Sequence, residues 1–397
     1  MKLQRADLPA PSADAGAASA ALSRLIAAEI DARGGWISFA RYMELALYAP
    51  GLGYYSGGSH KFGDHQAGGD FLTAPELTPL FAAALARQVA QILAASGPQV
   101  IEAGAGSGRL AADILRALAA LDCLPERYRI LELSGELRAR QQATLAERAP
   151  QFADRIEWLD ELPECFSGCL IGNELLDAMP THALRWSDEG DAPAILERGV
   201  GLEDGMLATA ERPATGALLD AARALGVQAP YRGEISLAAR SWVSELARRL
   251  EQGALLLIDY GLPRHELYHP LRDGGNLRCH YRHRVHEDPF WYPGLSDITS
   301  HVDFTAVAEA GFDAGLEVLG YTSQASFLLN CGIGDLLQTS KVGAGDTAAA
   351  NDLRARGAVN VLISPNEMGE LFKVIALGRG VPGPLLGFAR ADRVHAL

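Results

Sequence analysis

The first part of the chain carries apolar residues at helical spacing. One stripe of an amphipathic helix consists of Leu22, Leu25, Ile26 and Ile30. This stripe predicts a helix over 22–32, and the Ala/Ser-rich stretch at 10–21 is expected to be frayed. A second, short helix is predicted to begin after Ser38 and to end at Tyr48, ahead of Pro50.

A polar, Gly-rich stretch from residue 57 to 70 separates these helices from the next one and predicts a loop that could act as a lid. Thr73, followed by Pro75 and Glu76, is typical of a capping box at the start of a helix. The buried side of that helix is expected to consist of Leu77, Phe81, Leu85, Val89 and Ile92.

From residue 100 onward, short apolar segments alternate with helical patterns. Strands are predicted at 100–103, 128–133, 155–158, 169–172, 255–259, 316–322 and 372–377, and helices at 109–121, 135–147 and 304–310. Apolar strands separated by helices imply a parallel sheet that is covered on both faces. The predicted fold class is therefore α/β, with a doubly wound, Rossmann-like and mostly parallel sheet.

Two stretches interrupt this alternation. Residues 187–233 are rich in Gly, Ala and acids and show at most a hairpin, whereas residues 262–297 are dense in His, Arg, Pro and aromatic side chains. We predict an N-terminal helical cap with its lid loop over 1–74 and a core over 75–397. The two stretches are then insertions into the core that form a substrate lobe.

Composition narrows the classes of partner. The 397 residues include 35 Lys and Arg against 49 Asp and Glu, a formal net charge of −14. An acidic chain is poorly suited to non-specific nucleic-acid binding but compatible with a cationic ligand or a basic protein substrate. No apolar run approaches the roughly 18 residues that span a bilayer. Five cysteines without a CxxC pair favour a reducing compartment, so we expect a cytoplasmic protein without a membrane span.

The segment VIEAGAGSGR at 100–109 joins the first strand of this alternation to the following helix. Gly104, Gly106 and Gly108 allow a sharp turn and a close approach of a ligand to the backbone, with the helix N-terminus facing the same place. A dinucleotide fingerprint needs glycine at its sixth position, where Arg109 stands. The mismatch disfavours, without excluding, an NAD-type oxidoreductase.

Two acids accompany this turn. Glu102 lies on the strand before it, and Glu132 ends the second strand. An acid at the carboxyl edge of a parallel sheet can accept both hydroxyls of a ribose. The combination resembles S-adenosylmethionine (SAM) binding in methyltransferases. The candidate cofactor residues at this point are Glu102, Gly104, Gly106, Gly108 and Glu132.

Five segments, in order along the chain, carry a wider resemblance: GDFLTAPE (69–76), EAGAGSG (102–108), GNELLDAMP (172–180), LLIDYG (256–261) and DITSHVDF (297–304). The chain resembles the MidA-like family of SAM-dependent methyltransferases, a group that includes the mitochondrial arginine methyltransferase assisting assembly of respiratory complex I. The resemblance implies a class I, seven-stranded methyltransferase fold, SAM as cofactor and a protein arginine as acceptor. It also implies a protein partner, such as a complex I subunit or an analogous protein, and the mitochondrial matrix if the source is eukaryotic.

The acidic segment GNELLDAMP follows the fourth strand and brings Asn173, Glu174 and Asp177 to the cofactor edge. Asn173 is assigned to the cofactor. Glu174 is the predicted clamp for a cationic guanidinium, because a carboxylate can accept two of its N–H groups. Better-known arginine methyltransferases present two glutamates here, and the second acid in this chain is Asp177. The alternatives are that Asp177 caps a helix and that Glu174 is a solvated surface acid.

The remaining candidates lie elsewhere in the chain. By resemblance, Asp70 belongs to a cofactor or substrate lid; alternatively, it forms hydrogen bonds within its loop. His301 could orient the acceptor or act as a base, or it is a helix-start histidine with satisfied hydrogen bonds. Asp259 is expected to bond to its own turn. Cys279 and the three histidines that follow it lack a second ligand pair and lie among arginines, so no metal site is predicted.

The sequence therefore favours a SAM-dependent methyltransferase that methylates a protein side chain, with arginine preferred, by direct methyl transfer. One alternative is a non-catalytic, SAM-binding assembly factor for a protein complex, and a weaker one is the NAD-type oxidoreductase. The acceptor protein, the degree of methylation and the oligomeric state are left open.

Overall fold

The computed structural model describes residues 8–57, 73–189, 194–339 and 346–397. The chain divides into two compact units. The first unit consists of the described residues within Met1–Phe71, Leu176–Trp242 and Leu262–Asp303, and the second of those within Leu72–Leu175, Val243–Gly261 and Phe304–Leu397. The two predicted insertions thus fall in one unit together with the N-terminal helices, whereas the proposed domain bounds at 74 and 75 stay a prediction.

The helices are α1 Ala13–Ala32, α2 Phe39–Tyr48, α3 Ala74–Leu77, α4 Pro79–Ala95, α5 Arg109–Ala120, α6 Gly135–Arg148, α7 Gly216–Ala224, α8 Leu237–Arg249, α9 Arg264–Leu267, α10 Phe304–Asp313, α11 Gln324–Asn330, α12 Ile333–Thr339, α13 Asp346–Ile363 and α14 Met368–Leu371. The strands are β1 Gln99–Ala103, β2 Arg127–Leu131, β3 Ile156–Leu159, β4 Phe166–Asn173, β5 His182–Ser187, β6 Ala194–Glu203, β7 Met206–Pro213, β8 Tyr231–Ile235, β9 Leu250–Leu262, β10 Arg278–Tyr281, β11 Arg284–His286, β12 Asp297–Thr299, β13 Val302–Asp303, β14 Glu317–Ser323 and β15 Phe372–Arg379.

The second unit contains the predicted sheet. Seven strands lie in the order β14-β15-β9-β4-β1-β2-β3. The five strands from β9 to β3 are mutually parallel, and β15 pairs antiparallel with both β9 and β14. The apolar faces of α4 and α5 pack with these strands in one core, where Leu85, Ile114 and Leu118 are fully buried. The α/β fold class with a mostly parallel sheet, predicted from the sequence, is confirmed.

The first unit is built on two smaller antiparallel sheets. Their strand orders are β7-β6-β5-β8 and β11-β10-β12. Helices α1 and α2 share a core with these sheets, in which Ile26 and Tyr42 pack with Val200 of β6 and Cys279 of β10. The insertion at 187–233 therefore holds much more regular structure than the single hairpin its pattern suggested.

Two helix boundaries differ from the prediction for local reasons. Helix α1 begins at Ala13 rather than at residue 22, because the Ser12 hydroxyl accepts a hydrogen bond from the Ala15 N–H and caps an alanine-rich turn. Thr73 makes no side-chain capping bond, and the short α3 ends at Leu77. The cap of the long helix is Thr78, held extended before Pro79, where a helical backbone is disfavoured.

Among the helices within the described ranges, none is long and apolar enough to cross a membrane.

Candidate cofactor and acceptor site

Three of the predicted site residues lie side by side at one edge of the main sheet. Strand β1 runs between β2 and β4, and its Ala103 pairs with Leu131 on one side and Gly172 on the other. Gly104, Glu132 and Asn173 are the next residues along these strands. The carboxyl edge of a parallel sheet, where ligands bind in open α/β folds, thus collects the turn and both neighbouring polar residues.

The glycine turn has the backbone that only glycine adopts readily. Gly104, Gly106 and Gly108 have φ angles of 70°, 53° and 82°. A Cβ atom on Gly104 would come within 2.9 Å of Leu175 Cδ1, and one on Gly108 within 3.0 Å of Gln141 Cα. Helix α5 begins directly after Gly108, so its first N–H groups face the turn. This cradle suits the close approach of a nucleoside or an amino-acid carboxylate.

Glu132 is held in a defined orientation at the end of β2. One carboxylate oxygen, Oε1, accepts the Ser134 N–H at 2.9 Å, and Oε2 accepts an N–H of the Gln141 amide at 2.9 Å. The residue is 8% exposed, and burial raises its pKa above the usual value. A carboxylate has about four acceptor positions. With these donors and a main-chain hydrogen bond from Leu133, the carboxylate retains capacity for a further hydrogen bond, which fits the predicted contact with a ribose hydroxyl.

Leu133 is a neighbour of the predicted ribose contact that the sequence analysis did not single out. It follows Glu132 directly, and it is 82% exposed although it is a large apolar residue. A leucine so exposed beside a predicted ribose contact can be covered by an aromatic base, which removes apolar surface from water. The sequence signal that could have identified Leu133 is its apolar character directly after the acid at the end of β2.

Glu102 occupies a more enclosed position than Glu132. Its carboxylate accepts a hydrogen bond from the Tyr128 hydroxyl at 2.6 Å within the sheet. Burial, opposed by this hydrogen bond, raises the pKa of Glu102 to about 7. The structure thus ties Glu102 to β2 just below the cofactor edge, and its direct contact with the cofactor stays a prediction.

Glu174 stands just past the end of β4 in a strained backbone conformation. Its φ angle is 52°, in the left-handed region that residues other than glycine rarely enter. The Glu174 N–H donates to Ile258 O at 2.8 Å, and Oε1 accepts an N–H of the Asn173 amide at 3.0 Å. Residues other than glycine that are held in this backbone region cluster at functional sites.

Asp259, on the neighbouring strand β9, accepts two main-chain hydrogen bonds, one of them from the residue that follows Glu174. Oδ1 accepts the Tyr260 N–H at 2.9 Å, but both residues lie within β9, which continues to Leu262, so the expectation that Asp259 ends its strand and bonds to its own turn is wrong. Oδ2 accepts the Leu175 N–H at 3.0 Å, a contact between residues 84 positions apart that the sequence did not reveal. Leu175 in turn lies against Gly104. The buried Asp259 therefore connects the Glu174 loop to the glycine turn.

Asp177 and His301 belong to the first unit. Asp177 is buried, and its carbonyl oxygen accepts the Ser300 N–H at 3.0 Å, which brings its segment next to His301. Residues 174–181 contain bends and a turn at 177–178 but no helix, so the alternative that Asp177 caps a helix is wrong. Burial raises the pKa of Tyr55 well above its usual value, and the charges of Asp297 and Asp177 add to the effect. The catalytic roles of Asp177 and His301 stay predictions, and Asp70 lies outside the described residues.

Glu76 makes a further contact with the glycine turn, which the sequence analysis did not predict. Its carboxylate accepts hydrogen bonds from the Ser107 hydroxyl and from Arg109 Nη1, the latter at 3.4 Å. Arg109, which stands where the dinucleotide fingerprint needs glycine, therefore forms an ion pair with Glu76 of α3. Through Ser107 and Arg109, Glu76 connects α3 to the glycine turn.

The sheet, its glycine turn and the acid at the adjoining strand end define a class I SAM-dependent methyltransferase. Residues 84–322, more than half of the chain, match the model of a family described as "putative S-adenosyl-L-methionine-dependent methyltransferase". The chain belongs to this family, and SAM is its cofactor. When bound, SAM supplies a sulfonium methyl group to a nucleophile. This assignment replaces the oxidoreductase alternative.

Individual relatives agree with the family. Protein arginine methyltransferase NDUFAF7, mitochondrial, of Mus musculus is 29% identical over 376 residues, which cover 86% of this chain and 81% of the relative. The Danio rerio protein of the same name is 29% identical over 380 residues, covering 86% and 83%. A Burkholderia thailandensis protein in a crystal structure bound to S-adenosyl-homocysteine is 53% identical, covers 98% of this chain and all of its own, and superposes with a TM-score of 0.93.

Proposed function

We propose that this chain transfers the methyl group of SAM to a protein side chain, with arginine as the favoured acceptor and Glu174 as the residue that holds it. The names of the curated relatives, which are protein arginine methyltransferases, support the acceptor class. The observation that carries the proposal is the part-exposed Glu174 carboxylate on a left-handed backbone at the cofactor edge.

A carboxylate is the group that a guanidinium acceptor requires. The guanidinium remains charged at physiological pH and presents its N–H groups in a planar fork. Two of these can donate to one carboxylate, which fixes the plane of the acceptor relative to the incoming methyl group. A fixed negative charge also offsets the positive charges of the acceptor and of the sulfonium.

The surroundings of Glu174 support such a role. The Asn173 amide holds Oε1, and the buried Asp259 holds the backbone of the next residue. A carboxylate with restricted freedom loses little entropy when it binds an acceptor. Asp177 remains our proposed second acid and His301 our proposed orienting group or base.

The names of the same relatives support a proposal about the class of partner and the compartment. The curated relatives are named as mitochondrial proteins. We propose a protein substrate, such as a respiratory complex I subunit or an analogous protein, in the mitochondrial matrix if the source is eukaryotic and in the cytoplasm otherwise.

The direct test is to incubate the purified protein and methyl-labelled SAM with a lysate, and then to hydrolyse the labelled proteins to amino acids. Label in methylarginine is the expected result. Label in another amino acid would refute arginine as the acceptor, whereas SAM binding without any transfer would favour the assembly-factor alternative. If the chain is such an assembly factor, the Glu174→Ala variant should retain the biological activity of the unmodified protein.

A further inference from the structure

Gln141 connects the two halves of the cofactor edge. It lies on α6 and is fully buried. Its amide nitrogen donates to Gly106 O in the glycine turn at 3.2 Å and to Glu132 Oε2 at 2.9 Å. Its amide oxygen accepts the indole N–H of Trp158 at 3.0 Å. Every donor of the Gln141 amide is therefore used, and one side chain spans β1, β2 and β3.

The orientation of the amide follows from its partners. The Trp158 indole can only donate, and the Gly106 carbonyl can only accept. The Gln141 oxygen must therefore face Trp158, and its NH₂ group must face Gly106 and Glu132. A rotated amide would place two donors against each other at one end and two acceptors at the other, at a cost of about 1–3 kcal/mol for each unsatisfied group.

The main chain of Gln141 also limits the space at the turn. A Cβ atom on Gly108 would lie 3.0 Å from Gln141 Cα. The last glycine of the turn is thus packed directly against the residue whose amide bonds to the middle glycine. A shift of α6 would move the turn and Glu132 together.

We propose that Gln141 is a positioning residue for the nucleoside of the cofactor. It holds Glu132 at a fixed place relative to the glycine turn, so that the remaining acceptor capacity of the carboxylate meets a ribose hydroxyl. The inference rests on the role proposed for Glu132. It predicts that loss of the Gln141 amide weakens recognition of the ribose hydroxyls in particular, not cofactor binding in general.

The test uses calorimetric titration with S-adenosyl-homocysteine and with its 2′-deoxy analogue. In the unmodified protein, loss of the hydroxyl should weaken binding about tenfold. Gln141→Met should weaken binding of S-adenosyl-homocysteine about tenfold and reduce the preference for the hydroxyl to about twofold. Equal losses for the two ligands would mean a merely structural role and would overturn the inference.

The matched control is Gln88→Met. Gln88 is another fully buried glutamine on a helix of the second unit, and its amide accepts the Gly387 N–H at 2.7 Å and donates to Gln91 at 3.1 Å. We expect a comparable loss of thermal stability with the hydroxyl preference unchanged. A reduced preference in this variant would show that general destabilisation produces the effect, and would overturn the inference.

Glu132→Gln separates the inference from its premise. If this variant keeps the full hydroxyl preference, the ribose role of Glu132 is wrong and the inference falls with it. If it loses the preference while Gln141→Met keeps it, only the role of Gln141 is wrong. Should Gln141→Met fail to fold, Trp158→Phe removes the donor to the amide oxygen and leaves both donors of the Gln141 amide in place; a preference reduced to about fourfold supports the proposal, and an unchanged one overturns it.

Discussion

The ends of β2 and β4 flank the same glycine turn, yet they hold their acids in opposite ways. At the β2 end, the backbone is ordinary and the carboxylate of Glu132 is mostly buried between a main-chain N–H and the Gln141 amide. At the β4 end, the Glu174 carboxylate is less buried, and the backbone beneath it is strained and held by the buried Asp259.

We interpret the difference as separating a residue that binds the cofactor, Glu132, from a residue that holds the acceptor, Glu174. A carboxylate with neutral donors on both oxygens is preorganised to accept hydroxyl groups, and its surroundings change little when a ligand enters. A left-handed glutamate costs about 1–2 kcal/mol, which persists only where neighbouring contacts impose it. We therefore expect changes at the β2 end to alter cofactor affinity and changes at the β4 end to alter methyl transfer.

Glu174→Gln should separate these two effects most strongly. We expect the rate of methyl transfer to fall about 100- to 1,000-fold, because the neutral amide neither clamps nor offsets a guanidinium. Affinity for S-adenosyl-homocysteine should stay within about twofold. Asp122→Asn is the control, since Asp122 is another acid of the second unit with a left-handed backbone, φ 51°. If Glu174→Gln lost as much affinity for S-adenosyl-homocysteine as it lost in the rate of methyl transfer, the proposed difference between the two strand ends would be wrong.

Glu102, on the strand between the two ends, should make stability depend on pH. Its pKa is about 7 in the folded protein against 4.5 in an unfolded chain, because burial outweighs the Tyr128 hydrogen bond. The folded state thus binds more protons between these values, and stability present below pH 4.5 is lost as the pH rises through 7. Glu102→Gln cannot ionise and should remove up to about 3 kcal/mol of this dependence, measured by urea unfolding at several pH values. Parallel curves for the two proteins would contradict the shifted pKa.

Asp259→Asn tests the support beneath Glu174. An asparagine can accept only through its carbonyl oxygen, so either the Leu175 or the Tyr260 N–H would face another donor. We expect a loss of about 2 kcal/mol in the free energy of unfolding and slower methyl transfer, with cofactor affinity retained. Asp160→Asn is the control, because its side chain is 87% exposed and should change stability by less than about 0.5 kcal/mol. A stable, fully active Asp259→Asn would show that the Glu174 backbone needs no such support.

Much of the second unit could be predicted because its signals are local. Short apolar runs bounded by turns marked the strands, and α5 was expected at 109–121 and is found at 109–120. The glycine turn, Glu132 and Glu174 were visible because they directly follow strands. The first unit was less visible: half-buried positions without alternation fill the first part of β6, and Gly199 is packed against the Trp36 ring and Ile37 O.

The supports of the site escaped prediction because they depend on distant partners. The Gln141 amide reaches Gly106 across 35 positions, and Asp259 reaches Leu175 across 84. Neither residue type signals such a contact by its sequence neighbours. A buried glutamine is distinguished from an exposed one only when the chain has folded and each of its donors and acceptors has a partner.

Leu133→Ser tests the role proposed for the β2 end in cofactor binding, and we expect it to have the smallest effect of these variants. Because Leu133 is 82% exposed, its replacement should change the free energy of unfolding by less than about 0.5 kcal/mol. If a base covers the leucine in the complex, removal of this apolar surface should weaken S-adenosyl-homocysteine about fivefold by calorimetry, or about 1 kcal/mol. The control is Leu121→Ser, at a leucine that is 43% exposed and follows the end of α5 remote from the glycine turn; it should leave affinity unchanged. An unaltered affinity in Leu133→Ser would mean that the nucleoside lies away from the β2 end. The assignment of cofactor binding to the β2 end and of methyl transfer to the β4 end would then be wrong.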